Sequence, residues 1–253
     1  PLAMAETLFE ALATAYVSNP TIQAARAVVR NSDEGVPQAL SGWRPTVSLN
    51  GSVALQQSKT NTTTKQDLSP RTFSADISQS LYAGGRTVAG TRQAESRMYA
   101  ARAKLMVTEQ IVLSSGVTAF LNVLRDQARV QLTRNNEVVL RRQLEATRDR
   151  FEVGEVTRTD VAQAESRLAR AAADRIQSEG NLEASRATYQ NVVGELAPRE
   201  MMAPEQPVDI PDDKEDALKI ALVKNPSVIS AEFDRRAALD NVDEVWGELL
   251  PSV

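Results

Sequence analysis

The stretch Phe151-Glu152-Val153-Gly154-Glu155-Val156-Thr157 separates two long helical patterns and decides the fold. Residues 71–197 contain no proline, which would remove a helical hydrogen bond and clash with the preceding turn. Gly154 can adopt the left-handed conformation that ends a helix. Thr157 followed by Asp160 has the pattern of a capping box that begins one. The sequence therefore predicts a helical hairpin with its tip at this stretch.

The patterns on both sides of the tip indicate long helices that pack against other helices. Residues 86–152, if wholly helical, extend over roughly 100 Å. The apolar series there is Val117, Leu121, Leu124, Ala128 and Leu132. After the tip, two series repeat every seven residues: Val161, Leu168, Arg175, Leu182, Tyr189 and Leu196, and Ala164, Ala171, Ser178, Ser185 and Val192. A seven-residue repeat predicts coiled-coil-like packing, and the small side chains in it allow close approach.

Two runs with a period of two precede the hairpin, at residues 46–56 and 72–81. The apolar positions are Val47, Leu49, Val53 and Leu55 in the first run and Phe73, Ala75, Ile77 and Leu81 in the second. Such alternation is typical of membrane barrels, and each run is close to the ~9–11 residues of a membrane-crossing strand. A soluble sandwich alternates as well, but an isolated strand pair is marginal in water. Residues 58–70 lack periodicity and predict an exposed loop.

Composition excludes several classes of function. The net charge is −4 with mixed signs, so the chain has no basic footprint for nucleic acid. Cysteine and histidine are absent, which excludes disulfides, cysteine zinc sites and histidine acid–base chemistry on this chain. Carboxylates fall on solvated helical patterns rather than in a cleft, so we expect no enzyme. No stretch approaches the ~20 apolar residues of a transmembrane helix.

The N-terminal region is repeated near the C-terminus. Residues 11–22 (ALATAYVSNPTI) match residues 217–228 (ALKIALVKNPSV) at an offset of 206, which predicts a tandem repeat cut off early in its second copy. Each copy predicts a short helix ending before Asn-Pro, and Thr21 is a candidate cap for the helix that follows in the first copy. The A-x-A pattern at residues 3–5 is typical of a signal-peptide cleavage site, or else of a cloning scar.

Four motifs together resemble the TolC family of outer-membrane channel proteins. They are the A-L-x-x-A…N-P start, W-R-P at residues 43–45, L-Y-A-G-G-R at residues 81–86, and F-x-V-G-x-V-x-x-T-D-V-x-x-A at residues 151–164. With the internal repeat they cover nearly the whole chain. The resemblance implies a mainly α fold, in which a long antiparallel coiled-coil-like helical hairpin adjoins one β-hairpin, as half of a TolC-type protomer.

The resemblance also implies a division of the chain. Residues 1–45 would be N-terminal helices, and residues 46–82 a β-hairpin in an outer-membrane β-barrel. Residues 83–197 would form the periplasmic helical hairpin with its tip at 151–160, and residues 198–253 a linker with the start of a second repeat. The whole would lie in the outer membrane of a Gram-negative bacterium, extend into the periplasm and be exported by a signal peptide.

The function implied is an exit duct of a tripartite efflux or type I secretion system, without a cofactor. Its expected partners are a periplasmic adaptor, an inner-membrane transporter, outer-membrane lipid and two further copies in a homotrimer. Val153, Gly154, Glu155 and Val156 would face the adaptor, and Thr159 and Asp160 would belong to the gate. The alternative from the residues alone is a periplasmic coiled-coil adaptor or scaffold without a channel of its own.

Overall fold

The computed structural model describes residues 7–59, 65–198, 201–204 and 213–253 and is mainly helical. The helices are α1 (Leu8–Ser18), α2 (Pro20–Leu40), α3 (Arg86–Glu152), α4 (Arg158–Val193), α5 (Lys214–Lys224) and α6 (Pro226–Trp246). The strands are β1 (Thr46–Val53), β2 (Gln56–Lys59), β3 (Lys65–Leu68) and β4 (Arg71–Ser78). The chain forms two compact units, Pro1–Ala27 with Lys104–Leu222 and Val28–Ala103 with Val223–Val253. The predicted mainly α fold with a long helical hairpin and a β-hairpin is confirmed.

The core of the first unit lies where α1, α3 and α4 meet. Its buried members are Ala11, Ala15, Ala119, Phe120, Val123, Val130, Leu182, Tyr189 and Val193. Tyr189 and Phe120 are the largest fully buried side chains of the core, and alanines on α1 let that helix approach closely. Burial of an aromatic side chain stabilises the fold by about 2 kcal/mol, so these two rings anchor the hairpin.

The face of α3 that the sequence predicts to be buried lies roughly one residue away from the face that is buried in the structure. Leu121 and Leu132 are exposed, whereas Phe120, Val123 and Val130 are buried. Apolar residues occur on several faces of α3, so periodicity alone cannot select the packed one. The buried face carries small residues where close packing needs them, among them Ala119.

The predicted seam of α4 is confirmed over most of its length. Ala171, Ser178, Leu182 and Tyr189 are buried. Leu196 is exposed, contrary to the prediction, because α4 ends before it at Gly194, whose φ of +93° is left-handed. Glycine adopts this conformation without a steric penalty and ends the helix there.

Polar contacts tie α3 to α4 at matched levels. Glu137 is 8% exposed, and its carboxylate accepts from the Nε of Arg175 at 2.5 Å and from Nη2 of Arg141 at 2.6 Å. Further from the hairpin tip, Asp126 is buried and its carboxylate accepts a hydrogen bond from the Ser185 hydroxyl. The hydrogen bonds from the neighbouring Arg125 hold the pKa of Asp126 below its ordinary value, against the opposing effect of burial. These contacts fix the register between the two helices.

The predicted β-hairpin pairs β1 with β4 in antiparallel register. Val47 lies opposite Ile77, Leu49 opposite Ala75 and Gly51 opposite Phe73. The strands end earlier than predicted, at Val53 and Ser78. The predicted loop at 58–70 is partly wrong, since β2 and β3 pair there as a second two-stranded sheet and residues 60–64 lie outside the described residues. Backbone pairing needs no apolar alternation, which is why periodicity missed these strands.

A glycine pair joins the sheet to α3, as the L-Y-A-G-G-R stretch predicts. Gly84 and Gly85 have φ of +64° and +80°, and α3 begins at the next residue. A β-carbon on Gly84 would lie 2.3 Å from the carbonyl oxygen of Gly247, so no side chain fits there. Nearby, the Ala83 backbone forms an antiparallel bridge with Ser252.

Charged and aromatic contacts hold α6 along α3 in the second unit. Arg92 pairs with Asp243 at 3.4 Å, and Gln93 Nε2 donates to Asn241 Oδ1 at 2.7 Å. Further along the two helices, the rings of Tyr99 and Phe233 stack with centroids 5.1 Å apart. The interface is polar at one end and aromatic at the other, so it specifies one alignment of the two helices.

The internal repeat is confirmed element by element. Adding 206 to the bounds of α1 and α2 gives the bounds of α5 and α6, and the 3-10 turn Ser41–Trp43 corresponds to Gly247–Leu249. The predicted cap at Thr21 is wrong. Asn19 is the cap, because its Oδ1 accepts from the Thr21 N–H at 2.9 Å. The proposed cleavage pattern at residues 3–5 lies outside the described residues.

The expectation that no helix is apolar enough to span a membrane is wrong for α3. Among the described residues, α3 alone contains an 18-residue window with mean hydropathy of 1.3, which meets the requirement by length and composition. Of that window, 28% is buried. A core helix of a soluble protein meets the same criterion, and α3 supplies Phe120 and Val123 to the core of the first unit.

Candidate functional site

The hairpin tip is closed by backbone hydrogen bonds around one left-handed glycine. Gly154 has φ of +82°, its N–H donates to the Phe151 carbonyl at 3.0 Å, and the Glu155 N–H donates to the Arg150 carbonyl at 2.9 Å. This pair of bonds is a Schellman motif, which satisfies carbonyls that α3 leaves unpaired at its end. The predicted role of Gly154 in ending the first helix is confirmed.

A reciprocal capping box begins the return helix. The Asp160 N–H donates to Thr157 Oγ1 at 3.3 Å, and Asp160 Oδ2 accepts from the Thr157 N–H at 2.8 Å and hydroxyl at 2.7 Å. These bonds from Thr157, with a smaller contribution from the positive charge of Arg150, lower the pKa of the exposed Asp160 carboxyl below its ordinary value. The predicted capping box is confirmed, and its hydrogen bonds favour the ionised form of Asp160.

The tip presents its apolar residues to solvent. Val153 is 73% exposed, and a β-carbon on Gly154 would meet no atom within 4 Å. Val156 is half-buried and borders a recess of about 230 Å³ between the two helices, whose other lining residues include Leu140, Arg150 and Asp160. The tip is therefore an accessible turn with a mainly polar recess behind it.

Two ion pairs brace the tip, and the sequence patterns missed both. Arg150 Nε lies 2.9 Å from Glu155 Oε2 across the turn, and Arg148 Nη2 lies 2.6 Å from Glu165 Oε1 across the hairpin. The hairpin itself could have predicted the second pair, because a chain that turns back at the tip brings Arg148 on α3 close to Glu165 on α4. The first pair follows from the turn, which brings Glu155 back to Arg150. Both pairs are exposed, so each contributes about 0–1 kcal/mol to folding.

The structure brings the two predicted gate residues onto the first turn of α4. Asp160 is engaged by Thr157 as described above, whereas Thr159 is exposed and has no side-chain hydrogen bond among the described residues. Across the described part of the chain, no group of three or more acidic side chains is arranged to hold a metal ion. The tip is thus an exposed turn with a capped carboxylate beside it.

The second candidate surface is the apolar face of the strand pair. Val47, Leu49, Phe73 and Ile77 share one face and are all exposed. The opposite face is polar, and there Asp76 Oδ2 accepts from Ser74 Oγ at 3.3 Å. Large exposed apolar patches mark contacts with a membrane or with another protein, so this face is a candidate for such a contact.

Comparison with known protein families and sequences identifies relatives of this chain. Residues 11–195 match the family model described as outer membrane efflux protein. The chain is 33% identical over 251 residues to the outer membrane efflux protein BepC of Brucella suis, covering 99% of this chain and 54% of that protein. It is 26% identical over 260 residues to the outer membrane protein TolC of Vibrio cholerae, covering 98% of this chain and 57% of that one. The chain thus spans a little over half the length of these relatives.

Solved structures share the fold. The Campylobacter jejuni CmeC outer membrane channel superposes with a TM-score of 0.84 at 15% identity, over 97% of this chain and 54% of that one. The outer-membrane channel OprN superposes with a TM-score of 0.80 at 19% identity, over 97% of this chain and 56% of that one. The architecture of helical hairpin and strand pair is therefore that of outer-membrane channel protomers.

Proposed function

Because the chain belongs to the outer membrane efflux protein family, we propose that it forms part of the exit duct of a tripartite efflux or type I secretion system. In this proposal it carries drugs or proteins from a periplasmic entrance across the outer membrane. The family is one of channels rather than enzymes. Neither the comparisons nor the fold supports the alternative of a coiled-coil adaptor or scaffold.

The observation that carries this proposal is the exposed apolar face of β1 and β4. Leu49 and Phe73 point to the same side of the sheet, while their neighbours Asn50 and Ser74 point to the other. Apolar-out and polar-in alternation on paired strands fits a barrel with lipid outside and water inside. In a bilayer every strand edge must be paired, so this strand pair requires further strands from the same protein or from other copies. A homotrimer would supply them.

The proposed membrane location of the strand pair also implies where the other segments of the chain would lie. Residues 46–82 would lie in the outer membrane, residues 83–197 would cross the periplasm, and residues 198–253 would begin the second repeat. Export by a signal peptide follows from an outer-membrane location.

The tip is proposed as the docking surface for a periplasmic adaptor, which would connect the duct to an inner-membrane transporter. This surface would consist of the exposed turn Val153, Gly154, Glu155 and Val156, which is mainly apolar and carries one carboxylate. The ion pair between Arg150 and Glu155 restrains this turn, so the turn would lose little conformational freedom on docking.

Thr159 and Asp160 are proposed as gate residues beside that surface. The Asp160 carboxylate is exposed at the start of α4 and hydrogen-bonded to Thr157, and a cation on a neighbouring helix could bind it and hold the entrance closed. Asp160→Asn would remove the charge while partly keeping the cap. We expect a higher resting conductance in planar bilayers with folding nearly unchanged. A channel as tightly closed as wild type would leave Asp160 as a helix cap only.

Paired substitutions in the strands test the channel proposal. Leu49→Arg puts a charge on the apolar face, at a cost of about 2–4 kcal/mol near the bilayer midplane. Asn50→Arg puts the same side chain on the adjacent position of the polar face. We expect Leu49→Arg to abolish membrane insertion and drug resistance in cells, and Asn50→Arg to retain both. Equal insertion of the two variants would refute a lipid-facing role for this face.

A further inference from the structure

An asparagine followed directly by a glycine occurs once in the chain, at Asn50 and Gly51 in the middle of β1. This dipeptide is especially prone to deamidation, because glycine has no side chain to hinder attack of its backbone nitrogen on the preceding asparagine amide. Both residues are exposed in the structure. Asn50 lies on the polar face of the strand pair, opposite Ser74 of β4. The amide that would react is therefore open to water.

The backbone N–H of Gly51 points away from β4, toward the free edge of β1. The Ala54 N–H donates to the Pro70 carbonyl at 3.1 Å, which continues the register of β1 and β4 by one pair. Alternate residues of an antiparallel strand direct their backbone groups to the same side, so Asn50 shares the β4 side with Ala54, whereas Gly51 faces the other side. Among the described residues, β4 is the only strand that pairs with β1. The attacking nitrogen is therefore not held by a sheet hydrogen bond.

The strand pair opens easily at this place. A two-stranded sheet is marginal in water, and glycine inside a strand weakens it further. Apart from its chain neighbours, a β-carbon on Gly51 would meet only Phe73 Cδ2 within 4 Å, at 3.9 Å, so little packing restrains the backbone there. The attack requires the Asn50 backbone to leave the extended conformation. An open edge permits this local opening, whereas a strand paired on the second edge adds hydrogen bonds that oppose it.

We propose that Asn50 is a site of spontaneous deamidation, and that pairing of a further strand with the free edge of β1 stops the reaction. The protected state rests on the β-barrel of the proposed function, whereas the reaction in the open strand pair does not. The Gly51 nitrogen loses its proton and bonds to Asn50 Cγ, while the Cγ–Nδ2 bond breaks and the amide nitrogen leaves as ammonia. Water then opens the resulting cyclic imide at either carbonyl, which gives aspartate or isoaspartate at position 50.

Either product disturbs the strand pair. Asn50 Nδ2 donates to Asp76 Oδ2 at 3.5 Å, and Ser74 Oγ donates to the same oxygen at 3.3 Å. An aspartate at position 50 replaces the first donor by a second carboxylate, and like charges on neighbouring strands are destabilising. Isoaspartate adds one carbon to the main chain, which shifts the residues after it relative to β4 and disturbs the register. Deamidation thus limits the time for which a chain with an open β1 edge stays competent for assembly.

Peptide mapping by mass spectrometry tests the proposal. The protein is aged in mildly alkaline buffer in two forms, as the oligomer extracted from membranes and as the monomer in detergent, which native electrophoresis separates. The mass of the peptide that contains Asn50 reports deamidation, and labelling by an isoaspartate methyltransferase reports isoaspartate. Asn31, which precedes Ser32 inside α2, is the internal control. Gly51→Ala is the matched variant, since its β-carbon makes only an ordinary contact with Phe73 and hinders the attack.

We expect the monomer to convert Asn50 into a mixture of aspartate and isoaspartate, while Asn31 stays intact and Gly51→Ala keeps most of its Asn50. In the oligomer Asn50 should stay intact. An intact Asn50 in the aged monomer overturns the modification site, and equal conversion in monomer and oligomer overturns protection by a paired strand. A membrane extract without any oligomer counts against the channel proposal, while conversion of Asn50 in its monomer still supports the modification site.

Discussion

Asn19 and Asn225, which are 206 positions apart, make the same hydrogen bond. Asn19 Oδ1 accepts from the Thr21 N–H at 2.9 Å, and Asn225 Oδ1 accepts from the Ser227 N–H at 2.9 Å. Each asparagine precedes a proline that begins a helix, where the missing N–H of proline costs nothing. The two copies thus begin their long helices by one local rule, although their surroundings differ.

That difference predicts unequal costs for one substitution. Asn225→Ala removes an exposed cap and should lower the free energy of unfolding by about 1 kcal/mol. Asn19 is buried and its Nδ2 also donates to the Val192 carbonyl at 2.9 Å, so Asn19→Ala should cost about 1 kcal/mol more. Urea unfolding followed by circular dichroism measures both. Equal losses would mean that the bond to Val192 contributes nothing to stability.

Two glycines of the hairpin should respond oppositely to alanine. Around both Gly154 and Gly180 a β-carbon would meet no atom within 4 Å, but only Gly154 has a positive φ. Gly154→Ala should therefore destabilise the protein by about 1 kcal/mol through the left-handed backbone. Gly180→Ala, inside α4, should stabilise it by roughly 0.5–1 kcal/mol. Thermal unfolding of both variants measures these changes. A Gly154→Ala variant that unfolds at the wild-type temperature or above it would contradict the prediction.

The stability of the tip should fall at acidic pH. Since the folded pKa of Asp160 is depressed, its contribution is present above the unfolded pKa of about 3.9 and is lost as the pH falls through the folded value. Thr157→Ala removes the hydroxyl that lowers this pKa most, so the pKa should rise toward its ordinary value. Carboxyl NMR titration of Asp160 in the two proteins measures the change. An unaltered pKa in Thr157→Ala would rule out the hydroxyl as the cause.

Two glutamates that form ion pairs with arginines across the hairpin should contribute unequally to stability. Glu137 is buried and serves two arginines, so Glu137→Ala should lower the free energy of unfolding by about 1–3 kcal/mol. Glu165 forms an exposed pair with Arg148, and Glu165→Ala should cost about 0–1 kcal/mol. Denaturant unfolding of both variants tests the ranking. A larger loss of unfolding free energy for Glu165→Ala than for Glu137→Ala would show that burial does not determine how much these ion pairs contribute.

Much of the fold could be predicted from local rules. The helix end at Gly154, the capping box of Thr157 with Asp160, and the glycine hinge before α3 each depend on a few adjacent residues. Strand alternation predicted the apolar face of the pair, and the repeat predicted equal helix bounds in its two copies. The adaptor-facing and gate roles at the tip remain predictions, since they concern partners.

The sequence by itself determined where helices begin, turn and end, because caps and left-handed glycines act within a single turn of chain. Only the tertiary structure decided which face of α3 is buried, and with it the place of Phe120. It also decided that β2 and β3 pair at residues 56–68, and that Glu137 meets Arg175. The physical reason is that packing and pairing depend on side chains far apart in the sequence. Periodicity describes one helix or strand at a time and carries no information about which neighbour it meets.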